Sequence, residues 1–457
     1  MNKRILSVCI AVMMFAIVFS GCFEETSSVK NKTIYVDDDG GKDYTNIQDA
    51  INAANSGDTI YVYNGMYYEN VEIKKSIKLN GENNSLTIIK SPPTQSATVR
   101  IYQNEVTVKN FKIVTNELLV SNIWICYSGN NVISNNIIVN GGNGSGIAIS
   151  ESSNNQIIDN ILISDGSIGI TITPESPGYN KKEYWNSHQI SNNYLNGKPI
   201  YYYKNNHDGL IVPSDAGQVI LADCSNFMIT NLNIINGYYG IQLGYSDNNE
   251  ISNNNIASCE LSGIKLVRSI NNHIFNNTIS SCFSGISLHD FSNDNTLDGN
   301  FITNNDECIY QAACSGNILK NNTLTKSDFA AIYLDSNTIN SIVTENQILN
   351  NDYGIAYGSQ CYGNAIVRNN ITNCIDAGIW TDPYANNDIY LNNFINNTQN
   401  MISGSNDTNN WDNGTHGNYW DDYSGSDSNG DGIGDIPYIL IGIDNQDNYP
   451  LINPINI

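Results

Sequence analysis

Residues 240–288 read GIQLGYSDNNEISNNNIASCELSGIKLVRSINNHIFNNTISSCFSGISL. In this stretch the step Gly-Ile-x-Leu returns at Gly240, Gly263 and Gly285. Working outward, the same step or a close relative stands at Gly146, Gly169, Cys308, Ala331, Gly354 and Gly378. Apart from the gap between Gly169 and Gly240, the spacings are 23, 23, 22, 23, 23, 23 and 24 residues. A second marker, Asn-x-Ile or similar, keeps the same period at Asn136, Asn160, Asn233, Asn255, Asn277, Asn300, Asn322, Asn346, Asn370 and Asn393. Two markers locked to one period identify a repeat architecture and override the two or three domains that length alone suggests.

Within each repeat the apolar residues alternate, as Ile264 and Leu266 do, which is the period of short strands rather than helices. Gly, Asn and Ser punctuate every strand. One coil cannot bury its apolar face alone, so it must stack on its neighbours about 4.8 Å away. The expected fold is all-β, a right-handed parallel β-helix, with about fifteen coils making a rod of roughly 70 Å at that rise. Small residues in the Gly column are expected to turn a corner at φ values closed to bulky side chains, and the repeated Asn to form amide ladders along the axis.

An open solenoid end exposes strand edges and needs a cap. Residues 43–57 predict an amphipathic helix that plugs the first coil: Thr45 opens a capping box with Gln48, Ile47, Ala50, Ile51 and Ala54 form one stripe, and Gly57 ends it. The expected organisation is a cap with the first coils over 33–90, repeats over 91–399 with an irregular segment near 174–226, and a C-terminal cap over 400–457.

The amino end carries Lys3 and Arg4, an apolar run from Ile5 to Phe19, then Ser20, Gly21 and Cys22. This is the pattern of an export signal, too short for a stable span. Residues 1–22 resemble a lipoprotein signal in which Cys22 is lipidated, with 23–32 as a polar tether to the membrane. Formal net charge is −24, and removing a leader that holds two of the 21 basic residues and none of the 45 acidic ones takes it to −26. Such a surface repels phosphate backbones and excludes nucleic acid as a partner. Eight cysteines follow Cys22, none in a C-x-x-C pair, so neither zinc nor thioredoxin-like chemistry is suggested. Cys259 and Cys282, one period apart, are expected on neighbouring coils.

The opening IYVDDDGGKDYTNIQDAINAANSGDTIYVYNGMYYENVEIKKSIKLNG (34–81), the segments NGKPIYYYKN (196–205) and VPSDAGQVILADCSN (212–226), and the ending GNYWDDYSGSDSNGDGIGDIPY (417–438) with DNYPL (447–451) resemble the NosD-like, pectin-lyase-fold surface proteins common in archaea. With the repeats, the likeness covers nearly all of the chain after the leader. It implies the β-helix fold and a place at the cell surface. The family name's link with copper is not matched by the residues: His188, His207, His273, His289 and His416 are scattered and methionines are few, whereas copper needs clustered soft or imidazole ligands.

Three constellations could carry chemistry. Asp427, Asn429, Asp431, the Ile433 carbonyl and Asp435 fall at positions 1, 3, 5, 7 and 9 of a glycine-turned loop, the oxygen spacing of calcium loops. Position 12 is Tyr438, so the shell would need a partner such as Asp421, Asp422, Asp444 or Asp447. Second, two residues after each Gly-column position stand Gln242, Lys265, Ser287, Tyr310, Tyr333, Ala356 and Trp380. They are expected to point outward, so that Lys265, Tyr310, Tyr333 and Trp380 form an exposed track on which sugar rings stack. Third, Arg268 and Asp290 are expected side by side on adjacent coils next to His289, the groups an enzyme on this scaffold would use. These readings favour a non-catalytic surface protein that binds envelope glycan or scaffolds neighbouring proteins, with calcium as a structural ion. A polysaccharide lyase, hydrolase or epimerase is the alternative, and a NosD-like metal-maturation role the third.

Overall fold

The computed structural model describes residues 31–92, 97–115, 121–142, 144–173, 180–381, 386–403, 408–440 and 445–457. The leader with Cys22, most of the tether and Asp444 lie outside these residues.

Strands stack coil on coil in parallel, as the period requires. Ile241, Ile264, Ile286, Ile309, Ile332, Ile355 and Ile379 are successive register partners. Each is fully buried, and each such side chain contributes about 1.5–3 kcal/mol relative to exposure. A sheet of sixteen strands runs from Gly65–Tyr68 to Met401–Ser403. Sheets of seven and five strands complete the amino-terminal coils, ending at Gln189–Ser191 and Ile170–Ile172, and sheets of eight and nine strands complete the carboxy-terminal coils.

Between the two sets of coils the irregular segment contains a short helix, Glu183–Asn186, and the antiparallel pairing of Tyr194–Leu195 with Lys198–Pro199. Here the rod is offset. Val219 and Leu221 face the carboxy-terminal core, whereas Ile220 and Ala222 of the same strand face the amino-terminal core. The amino-terminal coils thus rest on the outer face of Gln218–Cys224 and Tyr239–Gly244, strands in the middle of the broad sheet. Gly244 lies on that face because the Trp185 indole occupies the space: a Cβ there would fall 2.0 Å from Trp185 Cδ2.

Three local expectations change. The helix spans Ile47–Ala53, and its N-cap is Asn46, whose side chain accepts from Asp49 N at 2.9 Å, rather than Thr45. Glu69 reaches over from the coil to take Ile47 N and Gln48 N, both at 2.8 Å, and so satisfies two more of the helix's free donors. The Gly column is small through close approach and not through φ. A Cβ on Gly263 would sit 2.6 Å from Ile279 Cγ2 and 2.8 Å from the Gly285 carbonyl oxygen, and the left-handed corners fall elsewhere, at Asn253, Asn276, Gly299 and Asn321 for example.

The Asn marker splits into two columns. Asn254, Asn277, Asn300, Asn322, Asn346, Asn369, Asn392 and Asn418 form the buried ladder. Asn233, Asn255, Asn370 and Asn393 lie one place later, as paired strand residues. Cys259 and Cys282 stand on neighbouring coils as expected, with their thiols in hydrogen-bond contact and both free.

At the carboxy-terminal end the Trp420 ring stacks 4.4 Å from Phe394 on the last coil and 4.5 Å from Tyr438, with Trp411 5.8 Å away. Trp411 and Trp420 are fully buried, so residues after the array close its open edge.

Candidate functional site

The column two residues after the Gly positions is in register: Gln242, Lys265, Ser287, Tyr310, Tyr333, Ala356 and Trp380 pair in succession. It is not an exposed track. Gln242, Ser287 and Ala356 are buried, and Lys265, Tyr310, Tyr333 and Trp380 are half-buried, because a second column of side chains rises beside it. Strand pairing skips the glycine, with Tyr239 opposite Ser262 and Ile241 opposite Ile264. The residue before each Gly position, from Tyr239 through Ser262, Ser284 and Glu307, therefore turns toward the same face.

Between the two columns lies a cleft of about 390 Å³ lined by Tyr239, Leu261, Ser262, Lys265, Phe283, Ser284, His289, Glu307, Tyr310 and Tyr333. Its polar groups are held in place. Lys265 Nζ donates to Tyr239 Oη at 2.9 Å and stands 4.4 Å from the centre of that ring. Ser284 Oγ donates to Glu307 Oε2 at 2.7 Å, and Tyr310 Oη donates to Asp335 Oδ2 at 3.0 Å. Burial pushes the Lys265 ammonium down to about 8, against the pull of the Asp290 charge. Burial also raises the Glu307 carboxyl above its ordinary range, with the Ser284 hydrogen bond opposing the shift. It takes His289 down to about 3, helped by the Lys265 charge, so this imidazole is neutral at physiological pH.

From His289 the aromatic surface is continuous. Ring centres are 5.3 Å apart for His289 and Tyr310, 5.5 Å for Tyr310 and Tyr333, 5.2 Å for Tyr333 and Phe329, and 6.2 Å for Phe329 and Trp380, with Tyr353 5.5 Å from Trp380.

Arg268 and Asp290 stand on adjacent coils as expected, each following one of the paired residues Val267 and His289, but their charges do not pair. No ion pair joins them within 4 Å among those found in the described residues; both occupy left-handed corners, with φ of 49° each. The Arg268 guanidinium lies instead over Tyr245 and Phe291, at 5.8 and 5.4 Å. Of that trio His289 lines the cleft, Asp290 acts on Lys265 through its charge, and Arg268 stands outside. Tyr239 and Glu307 are the residues that the sequence reading missed, and the same register taken one place earlier locates both.

In the C-terminal loop, Asp427 accepts from Gly430 N (2.7 Å) and Gly432 N (2.9 Å), and Asp431 accepts from Ile433 N (2.9 Å). Asp435 accepts from the Ser426 and Ser428 hydroxyls (2.9 and 2.6 Å), and Asn429 donates to Asp431 at 2.9 Å. Among the described residues, the acidic, His and Cys side chains whose ligand atoms come within 4.8 Å as a group of three are Asp37, Asp38 and Asp39. Of the shell partners considered, Asp422 accepts from Tyr438 Oη (3.1 Å) and Asn400 Nδ2 (2.9 Å), and Asp447 is buried, taking Asn418 N and Trp420 Nε1.

Residues 278–425 match the family described as "Periplasmic copper-binding protein (NosD)", and residues 186–348 match the one described as "Right handed beta helix region". No curated protein matches the chain. Among solved structures, the A-module of the Azotobacter vinelandii mannuronan C-5 epimerase AlgE6 is similar at 13% identity and a TM-score of 0.35, over 79% of this chain and 91% of that one. The periplasmic alginate epimerase AlgG is similar at 12% identity and 0.39, over 80% and 82%. DFA-IIIase from Arthrobacter chlorophenolicus A6 is similar at 13% and 0.36, over 79% and 83%.

The copper in the family description does not fit the donors here. His188 is buried with both ring nitrogens engaged, by Asn155 N and the Tyr184 carbonyl. His207 pairs with Ser225, His416 with Thr415, and His273 stacks on Phe275. The strand register and these matches together identify the chain as a right-handed parallel β-helix protein that is NosD-like over residues 278–425.

Proposed function

We propose that this is an exported β-helix protein that binds glycan in the cleft between Tyr239 and Trp380 without altering it. The observation that carries the reading is the aromatic run from Tyr310 to Trp380, which continues from a pocket holding both a donor, Lys265, and an acceptor, Glu307. Stacked rings offer apolar faces to sugar rings, and a few fixed polar groups select hydroxyls. Export follows from the leader, and tethering to the membrane from lipidation at Cys22. Among the described residues no helix is long and apolar enough to cross a membrane. Calcium belongs to the same reading as a structural ion of the loop from Asp427 to Asp435, and envelope glycan or neighbouring surface proteins are the partners.

A glycan array probed with residues 23–457 tests the proposal, and the expected result is binding that Trp380→Ala weakens by about threefold to tenfold, the worth of one aromatic contact. Absence of any glycan ligand would overturn it. One observation favours a second, catalytic reading: Lys265, whose ammonium burial brings down to about 8, donates to Tyr239 Oη at 2.9 Å in a cleft that also holds Glu307, which suits proton transfer. New reducing ends or unsaturated sugars released from an array hit would establish that reading in place of the first.

A further inference from the structure

The cleft is open along the rod in one direction and blocked in the other. Lys265 is half-buried, but the next member of its column, Gln242, is 0% exposed. Strand Ile170–Ile172 of the amino-terminal coils lies across it. Gln242 Nε2 donates to the Ile170 carbonyl at 2.9 Å, and Gln242 Oε1 accepts from Ile172 N. Gln218, one coil further back, repeats the arrangement, taking Ile170 N at 3.0 Å and donating to the Ile170 carbonyl at 2.9 Å. The start of that strand is pinned by backbone bonds between Ile168 and Asn236 (3.1 Å) and between Tyr238 and Ile168 (3.0 Å). The amides of Gln218 and Gln242 thus satisfy an edge that a solenoid would otherwise pair with another strand. The result is a wall immediately behind Tyr239, and a polymer lying on Tyr310, Tyr333 and Trp380 cannot continue past Lys265.

We propose, resting on the glycan-binding reading above, that the cleft takes the end of an uncharged glycan chain rather than an internal stretch. The terminal sugar lies between Tyr239, Lys265 and Glu307, and the following residues run along Tyr310 and Tyr333 toward Trp380. The chemistry at the blind end selects the ligand class. Lys265 offers donor hydrogens beyond the one given to Tyr239, Glu307 offers acceptor oxygens beyond the one used by Ser284, and Ser262 lies in the same wall. A donor and an acceptor in one cleft, two coils apart, suit separate hydroxyls of a terminal hexose. Lys265 and Glu307 carry opposite charges in the same cleft, so together they give no net charge that would favour an anionic or a cationic sugar over an uncharged one. Five register steps separate Lys265 from Trp380, about 24 Å at about 4.8 Å per coil, so the blind end and Trp380 contact different residues of a bound chain.

The test uses cello-, laminari-, malto-, manno- and chitohexaose. Each is titrated as the free sugar, as its methyl glycoside with the reducing end blocked, and with its last residue blocked at the non-reducing end by a 4,6-acetal or, for laminarihexaose, by a 3-O-methyl group. For any hexaose that binds, one blocked form is expected to lose at least tenfold in affinity and the other to bind as the free sugar does. Lys265→Met should weaken the trisaccharide and the hexaose by the same factor, whereas Trp380→Ala should weaken only the hexaose. Equal binding of both blocked forms overturns chain-end recognition and leaves the glycan reading standing, as does an array on which only charged glycans bind. Binding to no glycan at all overturns both.

Discussion

Asn300 shows how one residue type carries a rod of this kind. Its Nδ2 donates to the Ile274 carbonyl (2.9 Å) and to Asn322 Oδ1 (3.0 Å), while its Oδ1 accepts from Asn277 N (3.0 Å) and Asn277 Nδ2 (3.0 Å). Every polar valence is used, and the same pattern repeats from coil to coil, so each corner inside the core is satisfied by a neighbour's amide. The corner residue just before it, Gly299, is left-handed at φ 64°, and its counterparts Asn276 and Asn321 adopt the same conformation at 53° and 55°, which Asn tolerates better than most side chains. Replacing Asn300 with Ala would leave Asn277 N buried without a partner, at about 1–3 kcal/mol, and would remove the amide bonds to the Ile274 carbonyl and Asn277 Nδ2, at about 0.5–1.5 kcal/mol each. The expected outcome for Asn300→Ala is a loss of about 2–5 kcal/mol in urea-unfolding free energy for the carboxy-terminal coils. Exposed Asn276→Ala should cost much less. Equal losses for the two would show that the ladder contributes no more than its neighbours.

At the scale of elements, the coils were legible in the sequence because their apolar residues recur at one period and nothing else about them needs to be known. The helical cap was legible too, although its start moved one place, since Asn46 and Asp49 satisfy each other's groups where the sequence offered Thr45 as well. The second wall of the cleft was not legible. Alternation of side chains fails at the glycine kink, so Tyr239 and Glu307 turn outward at a position that strict period-2 reading assigns elsewhere. The C-terminal loop is legible as a ligand pattern, and here a direct measurement decides. In the structure Asp427, Asp431 and Asp435 hold loop amides and hydroxyls; bound calcium would draw these oxygens onto one ion. A ligand held only by the folded state adds RT ln(1 + [L]/Kd), about 2.7 kcal/mol at a hundredfold excess. Limited proteolysis is expected to cut between Gly414 and Leu440 faster in EDTA, and Asp431→Ala to cut at that rate with or without chelator. Cleavage unchanged by either would leave the loop as a set of hydrogen-bonded turns without an ion.

For the whole molecule, the offset between the two sets of coils matters more than the number of coils. A regular solenoid behaves as a chain of nearest-neighbour interfaces, but this one has two cores that meet at the strand Gln218–Cys224, buried on both faces. Nothing in the repeat period announces that junction, because it is made by the packing of residues outside the repeat. Trp185 is fully buried, its Nε1 donates to Asn180 Oδ1 at 3.0 Å, and its ring fills the space left by Gly244. Gly244→Ala places a methyl 2.0 Å from the indole without deleting any core atom, so it should force the two sets of coils apart at the junction alone. Overpacking of this sort costs about 1–3 kcal/mol. Because local stability follows cooperative units, hydrogen exchange should quicken in the stacked strands Gln189–Ser191, Gln156–Ile158 and Val132–Ser134, the first of which directly follows the helix that carries Trp185. Strands from Thr296–Asp298 onward, three or more coils from the strand Gln218–Cys224 in the other core, should exchange as in the wild type. The same substitution should loosen the wall formed by Ile170–Ile172, since Gln242 lies two residues from Gly244 on the same strand. Uniform acceleration along the entire rod would instead show that the two cores unfold as one unit and that the offset is no boundary.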